Sequence, residues 1–183
     1  MTVLALDLSK HTGWAVDSDI PGRPLSGVWD LPGSAEESGV AGMELAKQLN
    51  ARIVVNRPSL IVYEKPLDPR NLGDSPEQAA QRFARGQPAR KKFMANFETI
   101  RLLIGLTMVV ELAALRHEIE VQEAYVQSWR SYFTGTQKGG KEPTKARCVQ
   151  LRWPFKNDNQ SDAMGIWAFA KATTDPQWRP TPG

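Results

Sequence analysis

Cysteine and histidine are almost absent from this chain, which has one cysteine and two histidines among 183 residues. The lone Cys148 excludes a disulfide within the chain, and without a Cys/His cluster we expect no structural zinc site. No apolar run approaches the roughly 20 residues that span a bilayer. The N-terminal stretch MTVLALDLSK also lacks the basic and apolar regions of a signal peptide. These absences predict a cytoplasmic protein with no membrane partner.

Positive charge is small in total but concentrated in two segments. The net charge is +3; residues 69–101 hold seven Lys and Arg against three acids, and residues 127–156 hold seven against one, leaving −7 for the rest. Two basic segments on an acidic body predict a polyanion partner, whereas simple solvated loops are the alternative. The candidate contacts that follow from composition are Arg90, Lys91, Lys92 and Lys138.

Short apolar runs and longer helical patterns alternate along the chain. The run TVLALDL predicts a buried strand, two further strands follow it as hairpin partners, and LIVYE and IEVQEAYV predict two more. This order predicts an α/β fold, a mixed β-sheet flanked by α-helices in a single domain. We expect that domain to span residues 1–173 and residues 174–183 to form a disordered tail. The predicted helices begin after Ser34, span 93–117, begin near Thr144 and span about 161–172.

Four acidic residues stand at the ends of apolar elements. Asp7 and Glu64 come at the ends of two predicted strands, and Asp158 and Asp162 lie where the last helix begins. Burying an unpaired carboxylate costs several kcal/mol, so each needs a partner or a metal. Oxygen ligands suit Mg²⁺ or Mn²⁺. Two such ions about 4 Å apart could activate a water and stabilise the leaving oxygen of a phosphodiester.

Each of these acids also has a purely structural interpretation. Asp7 could accept hydrogen bonds in the SKHTG turn, and Glu64 could pair with Lys65 or a nearby arginine. Asp158 could cap a turn, and Asp162 could interact with the helix dipole. A helix N-terminus favours acids in any case, so the combination of all four is stronger evidence than the last pair alone.

The segments LALDLSKHTGWAV, LIVYEKP and NDNQSDAMGIWAFA occur in this order, with a basic region between the last two. Together they resemble the RuvC-like Holliday junction resolvases of the ribonuclease H superfamily, especially phage-type members, over roughly residues 3–170. The resemblance implies a ribonuclease H-like fold and a homodimer that makes symmetric nicks across a four-way DNA junction. It also implies two divalent ions, Mg²⁺ or Mn²⁺, in each active site.

The resemblance implies site residues as well. Asp7 and Glu64 match the first two metal ligands of the family, and Asp162 matches the last. The remaining ligand falls at Asn159 by the spacing of cellular members, or at Asp158 one residue earlier, and we favour Asp158.

Basic DNA contacts are carried over in the same way. Arg130 in VQSWRSYFTG stands where the family has a basic residue before a glycine. Lys141 or Lys145 resembles the family's second basic contact, and all three would bind phosphate. Trp129 and Trp153, in the same basic segment, could stack on unpaired bases or pack in the core.

Other functions stay open at this point. The segment 68–92 looks longer than is usual in the family, which leaves other branched or flap DNA as substrates. Asn159 in place of an acid favours a non-catalytic nucleic-acid-binding protein of the same fold. An actin-like or sugar-kinase-type phosphate binder shares the initial strand, Asp and hairpin, but the chain is short and lacks a second glycine-rich phosphate loop.

Overall fold

The computed structural model describes residues 1–33, 37–66, 76–86, 97–136 and 140–182, and a five-stranded mixed sheet lies at its centre. The sheet order is β3-β2-β1-β4-β5; β2 is antiparallel to β1 and β3, whereas β4 is parallel to β1 and β5. The predicted α/β class with a mixed sheet is confirmed. The strands are β1 (Val3–Asp7), β2 (His11–Asp17), β3 (Pro24–Asp30), β4 (Leu60–Glu64) and β5 (Glu120–Ala124).

Helices cover both faces of this sheet. The helices α1 and α3 pack together over one face, and α4, α5 and α6 pack over the other. The last helix begins at Asp158, earlier than expected, because the Asn157 side chain caps it by accepting the Gln160 N–H at 3.0 Å. Ser34, the predicted cap of the first helix, lies outside the described residues. The helices are α1 (Ser38–Asn56), α2 (Pro76–Ala84), α3 (Phe97–Arg116), α4 (Val126–Thr134), α5 (Glu142–Gln150) and α6 (Asp158–Thr174).

The central strands are buried on both sides, and this sets the direction of the acids. In β1, Leu4 and Leu6 join the core beneath α1 and α3, whereas Val3 and Ala5 join the core beneath α6. Side chains alternate along a strand. Asp7 therefore falls on the α6 side of the sheet, and Glu64 in β4 does so for the same reason.

Helix α3 buries one stripe and exposes another. Leu102, Leu106 and Val110 are buried in the core beneath α1, yet Met108 and Leu112 are 52% and 60% exposed. Within the described part of the chain, no helix has the combination of length and hydropathy that a membrane span needs.

The C-terminal tail, for which disorder is expected from the sequence, packs on the domain instead. The Thr181 carbonyl accepts the indole N–H of Trp153 at 3.0 Å, and the Thr181 N–H donates to the Gly22 carbonyl at 3.2 Å. The Trp178 ring meets the Trp167 ring edge-on at 5.2 Å. These contacts anchor the tail at the β2–β3 turn. They offset the tendency of its prolines to keep the chain disordered.

Candidate active site

Three carboxylates lie at one end of the sheet. Asp7 and Glu64 are the last residues of the adjacent parallel strands β1 and β4, and Asp162 lies on α6, which packs across both strands. Burial, followed by the neighbouring charges of Glu64 and Asp162, raises the pKa of Asp7 to about 8. Burial likewise raises the pKa of Glu64, with Asp162 adding to the effect. The three groups therefore form one electrostatically coupled cluster.

Glu64 is held by a buried tryptophan. Trp129 on α4 is 0% exposed and donates its indole N–H to Glu64 Oε2 at 3.0 Å. This bond stabilises the charged carboxylate and offsets part of the rise in the pKa of Glu64 that burial causes. Trp129 is thus a core residue that also orients an acid of the cluster.

Asp162 is only partly satisfied by its protein partners. Its side chain is 4% exposed, and Arg130 Nη2 lies 3.4 Å from Oδ2. Burial raises the pKa of Asp162, and the charges of Arg130 and Lys141 oppose that rise. Both Asp162 Oδ1 and Arg130 Nε are buried and have no hydrogen-bond partner within the described residues. Such an unsatisfied carboxylate oxygen needs a functional explanation.

Asp158 lies at the rim of this cluster rather than within it. Its side chain is 35% exposed and pairs with Lys145 at 2.7 Å and with Lys141 at 3.5 Å. The hydrogen bond from Lys145 is the main cause of a lowered pKa at Asp158. The negative charge of Asp158 contributes to the raised pKa of Asp162. The structure thus brings together Asp7, Glu64 and Asp162 and leaves Asp158 engaged with lysines.

Asn159 joins the start of α6 to the turn between β1 and β2. Its Nδ2 donates to the His11 carbonyl at 2.6 Å and to Ser9 Oγ at 3.1 Å. Gly13 pairs with Asp7 across the two strands, and a Cβ added to Gly13 would lie 1.9 Å from the Asn159 carbonyl oxygen. The glycine therefore permits the close approach of α6 that places Asp162 beside Asp7.

The predicted basic contacts are only partly described. Arg130, Lys141 and Lys145 all pair with acids of the candidate site. The other predicted contacts, Arg90, Lys91, Lys92 and Lys138, lie outside the described residues.

Sequence reasoning did not foresee the residues that position the acids. Trp129 and Trp153 are 0% and 2% exposed, so both pack in the core as one of the two interpretations held. The bond from Trp129 to Glu64 joins residues 65 positions apart, and those from Asn159 span about 150 positions. Pairings at such separations leave no local pattern in a single sequence.

The donor chemistry of the cluster fits a hard divalent cation. The metal ligands that the cluster offers are carboxylate oxygens. Asp162 Oδ1 is a buried oxygen without a hydrogen-bond partner, and a bound ion could satisfy it. Among the described residues, no three His, Cys, Asp or Glu side chains are arranged to hold an ion as they stand. The guanidinium of Arg130 lies beside Asp162, with Nη2 3.4 Å from Oδ2.

Neither a protein-family model nor a curated protein matches this sequence. Among solved structures, the chain is similar to Thermus thermophilus RuvC, with a TM-score of 0.68 at 15% identity, covering 98% of this chain and 99% of that one. A structure of T. thermophilus RuvC in complex with Holliday junction substrate gives a TM-score of 0.66 at 13% identity, with coverage of 98% and 99%. The chain therefore shares the ribonuclease H-like fold of RuvC over almost its whole length.

Proposed function

We propose that this protein is a divalent-metal-dependent endodeoxyribonuclease that makes paired nicks in four-way DNA junctions. The observation that carries the proposal is the coupled cluster of Asp7, Glu64 and Asp162, with one buried carboxylate oxygen of Asp162 lacking a partner. The proposal is also supported by comparison, because T. thermophilus RuvC, which has a similar fold, forms a complex with Holliday junction substrate.

Asp7, Glu64 and Asp162 are the proposed ligands of two Mg²⁺ or Mn²⁺ ions. When bound, these ions supply an activated water and stabilisation of the leaving oxygen at the phosphodiester. Trp129 keeps Glu64 Oε2 in place, and the contact between Asn159 and the β1–β2 turn keeps α6 against β1. Asp7 must lose its proton to act as a ligand, because a carboxylic acid is a poor donor to a cation.

Asp158 is the proposed fourth ligand, and its lysine partners are the proposed phosphate contacts. Lys141 and Lys145 pair with Asp158 by contacts to partly exposed side chains, which contribute little free energy each. DNA phosphates compete well for such lysines. Binding of DNA would therefore draw both lysines away and free Asp158 to approach the cluster beside Asp162.

The homodimer is also a proposal, and helix α3 offers a surface for it. Ile104, Met108, Leu112 and Leu115 follow one another at helical spacing and are between 52% and 76% exposed. Two nicks on opposite strands need two active sites, and a self-complementary apolar face suits a two-fold dimer. Leu112→Glu should convert a dimer to a monomer in analytical ultracentrifugation, and a wild-type protein that is monomeric would contradict this assignment.

The test of the proposed function is a set of labelled substrates: a synthetic four-way junction, a flap and a linear duplex, each with Mg²⁺, Mn²⁺ or chelator. We expect symmetric nicks in the junction alone, which chelator abolishes. Cleavage of flaps or duplex would keep the metal site but exclude junction selectivity. Tight junction binding without any cleavage would indicate a non-catalytic binding protein.

A further inference from the structure

Tyr125 is an exposed aromatic residue at the end of the sheet that carries the acids. It joins β5 to α4, and its side chain is 61% exposed. The residue before it, Ala124, pairs with Glu64 in the β4–β5 register, and the Lys65 N–H donates to the Ala124 carbonyl at 2.9 Å. Tyr125 thus lies one residue beyond the strand partner of Glu64.

The first turn of α4 connects Tyr125 to the acids. The Tyr125 carbonyl accepts the backbone N–H of Trp129 at 3.1 Å, and the indole of that tryptophan holds Glu64. The next residue, Arg130, pairs with Asp162. One helical turn therefore presents a buried ring to Glu64, a guanidinium to Asp162 and an exposed ring to solvent.

Lys65 contacts the exposed ring of Tyr125. The Lys65 ammonium lies 5.0 Å from the centroid of the Tyr125 ring and pairs with Glu123 at 2.5 Å. A cation over an aromatic face is attracted by the ring quadrupole. The contact favours one orientation of the ring, which lowers the entropic cost of stacking a second group on it.

Most other aromatic rings of the described chain are unsuited to contact DNA at this site. Trp14, Trp129, Trp153 and Trp167 are buried, as is Tyr63. Tyr132 on α4 is 37% exposed and meets Phe169 edge-on at 6.1 Å. Tyr125 differs from these rings in being both well exposed and directly connected to the residues that hold the acids.

We propose that Tyr125 is a base-stacking residue, whose ring receives an unpaired nucleobase beside the cleaved phosphodiester. Aromatic side chains stack on unpaired bases without sequence preference. This inference rests on the proposed function and deepens it: the substrate is DNA whose strand is unpaired, or opens, next to the cleavage position. Duplex with fully stacked bases gives the ring nothing to receive.

The test uses a four-way junction that carries 2-aminopurine at the crossover, with Ca²⁺ present so that the bound DNA stays uncut. We expect quenching of 2-aminopurine fluorescence by the wild type and by Tyr125→Phe. Tyr125→Ala should lose the quenching and bind on the order of 10-fold more weakly. Tyr132→Ala, which removes a partly exposed ring from the helix that Tyr125 precedes, is the matched control and should behave as the wild type.

Equal quenching by Tyr125→Ala and by the wild type would overturn the inference. Should Tyr125→Ala fold poorly by circular dichroism, Tyr125→Leu keeps apolar bulk without a ring and gives the same comparison. The proposed function is tested separately by cleavage with Mg²⁺. A wild type that never cuts DNA refutes the nuclease, whereas quenching lost only on removal of the Tyr125 ring still supports stacking.

Discussion

The indole nitrogen of Trp129 lies 3.0 Å from Glu64 Oε2, and the ring itself is fully buried between α4 and α6. A residue of the hydrophobic core is thus also the hydrogen-bond donor that fixes a carboxylate of the candidate active site. Packing of α4 and geometry of the site cannot be changed independently of each other.

Trp129→Phe should keep most of the buried volume but remove this donor. Because the charged form of Glu64 loses a hydrogen bond, the pKa of Glu64 should rise further in this variant. The pH dependence of junction cleavage should therefore move to higher pH. Unfolding by urea should show a loss of about 1–3 kcal/mol, since an acceptor is left unpaired.

Trp153→Phe is the control for that variant. It removes another buried indole donor, which bonds the backbone carbonyl of Thr181 at 3.0 Å rather than a carboxylate of the candidate site. We expect a comparable loss of stability with no shift in the pH profile of cleavage. An identical shift in both variants would show that general loosening of the core, rather than the bond to Glu64, is responsible.

Gly13→Ala should push α6 away from β2. The new Cβ would lie 1.9 Å from the Asn159 carbonyl oxygen, a distance that only a backbone displacement can relieve. We expect a loss of about 1–3 kcal/mol in unfolding free energy and a large loss of cleavage, as Asp162 moves relative to Asp7.

The matched control for this glycine is Gly39 on α1, where a Cβ would meet nothing within 4 Å. Gly39→Ala should stabilise the protein by up to about 1 kcal/mol, because alanine favours the helix, and leave cleavage unchanged. Tolerance of Gly13→Ala with full activity would refute the role assigned to the close contact.

Asn159→Asp separates two roles for this position. If Asn159 fastens α6 to the β1–β2 turn, the aspartate loses the donor that lies 2.6 Å from the His11 carbonyl and repels that oxygen. Cleavage and stability should then both fall, the latter by about 1–3 kcal/mol. If the position were a metal ligand, the added carboxylate would raise cleavage or metal affinity, so an increase in either would contradict the fastening role.

The raised pKa of Asp7 predicts opposite pH trends with and without divalent ions. Because folding raises this pKa from 3.8 to about 8, the folded state prefers the protonated acid. The contribution of Asp7 to stability is therefore greatest below its unfolded pKa and is lost as pH rises towards the folded value.

Divalent ions bind the ionised carboxylate, so their stabilising effect should grow over the same range. Melting temperatures measured between about pH 5 and 9, with and without Mn²⁺, test both trends. Asp7→Asn should flatten the first trend and remove most of the second. An ion-induced shift in melting temperature that is equal at every pH would contradict the proposed ligand role of Asp7.

The five strands and the acids at the ends of β1 and β4 could be predicted from the sequence, whereas the contacts that hold those acids in place could not. Asp7 and Glu64 close apolar strands, so local pattern predicts both the strand and the buried carboxylate. The bond from Trp129 to Glu64 depends on how α4 crosses the sheet, which no local pattern records. The four ligands predicted together are not equivalent either, since Lys141 and Lys145 hold Asp158 at the rim.

The C-terminal tail shows the same limitation, because its sequence predicts less structure than the folded domain has. Three prolines and a terminal position favour disorder. Trp178 nevertheless packs on Trp167, and the Thr181 hydroxyl donates at 2.7 Å to the carbonyl of Pro21 in the β2–β3 turn, which lies 160 residues earlier in the chain. Composition describes the tail, but the surface that receives it is formed only when the domain folds.

The most direct test of the account is single-turnover cleavage of a labelled four-way junction by the wild type, Asp7→Asn and Asp158→Asn, with binding measured in parallel. The account predicts paired nicks by the wild type, no cleavage but intact binding with Asp7→Asn, and a smaller loss with Asp158→Asn. Cleavage by Asp7→Asn at the wild-type rate would contradict the claim that the buried carboxylate cluster carries out the reaction.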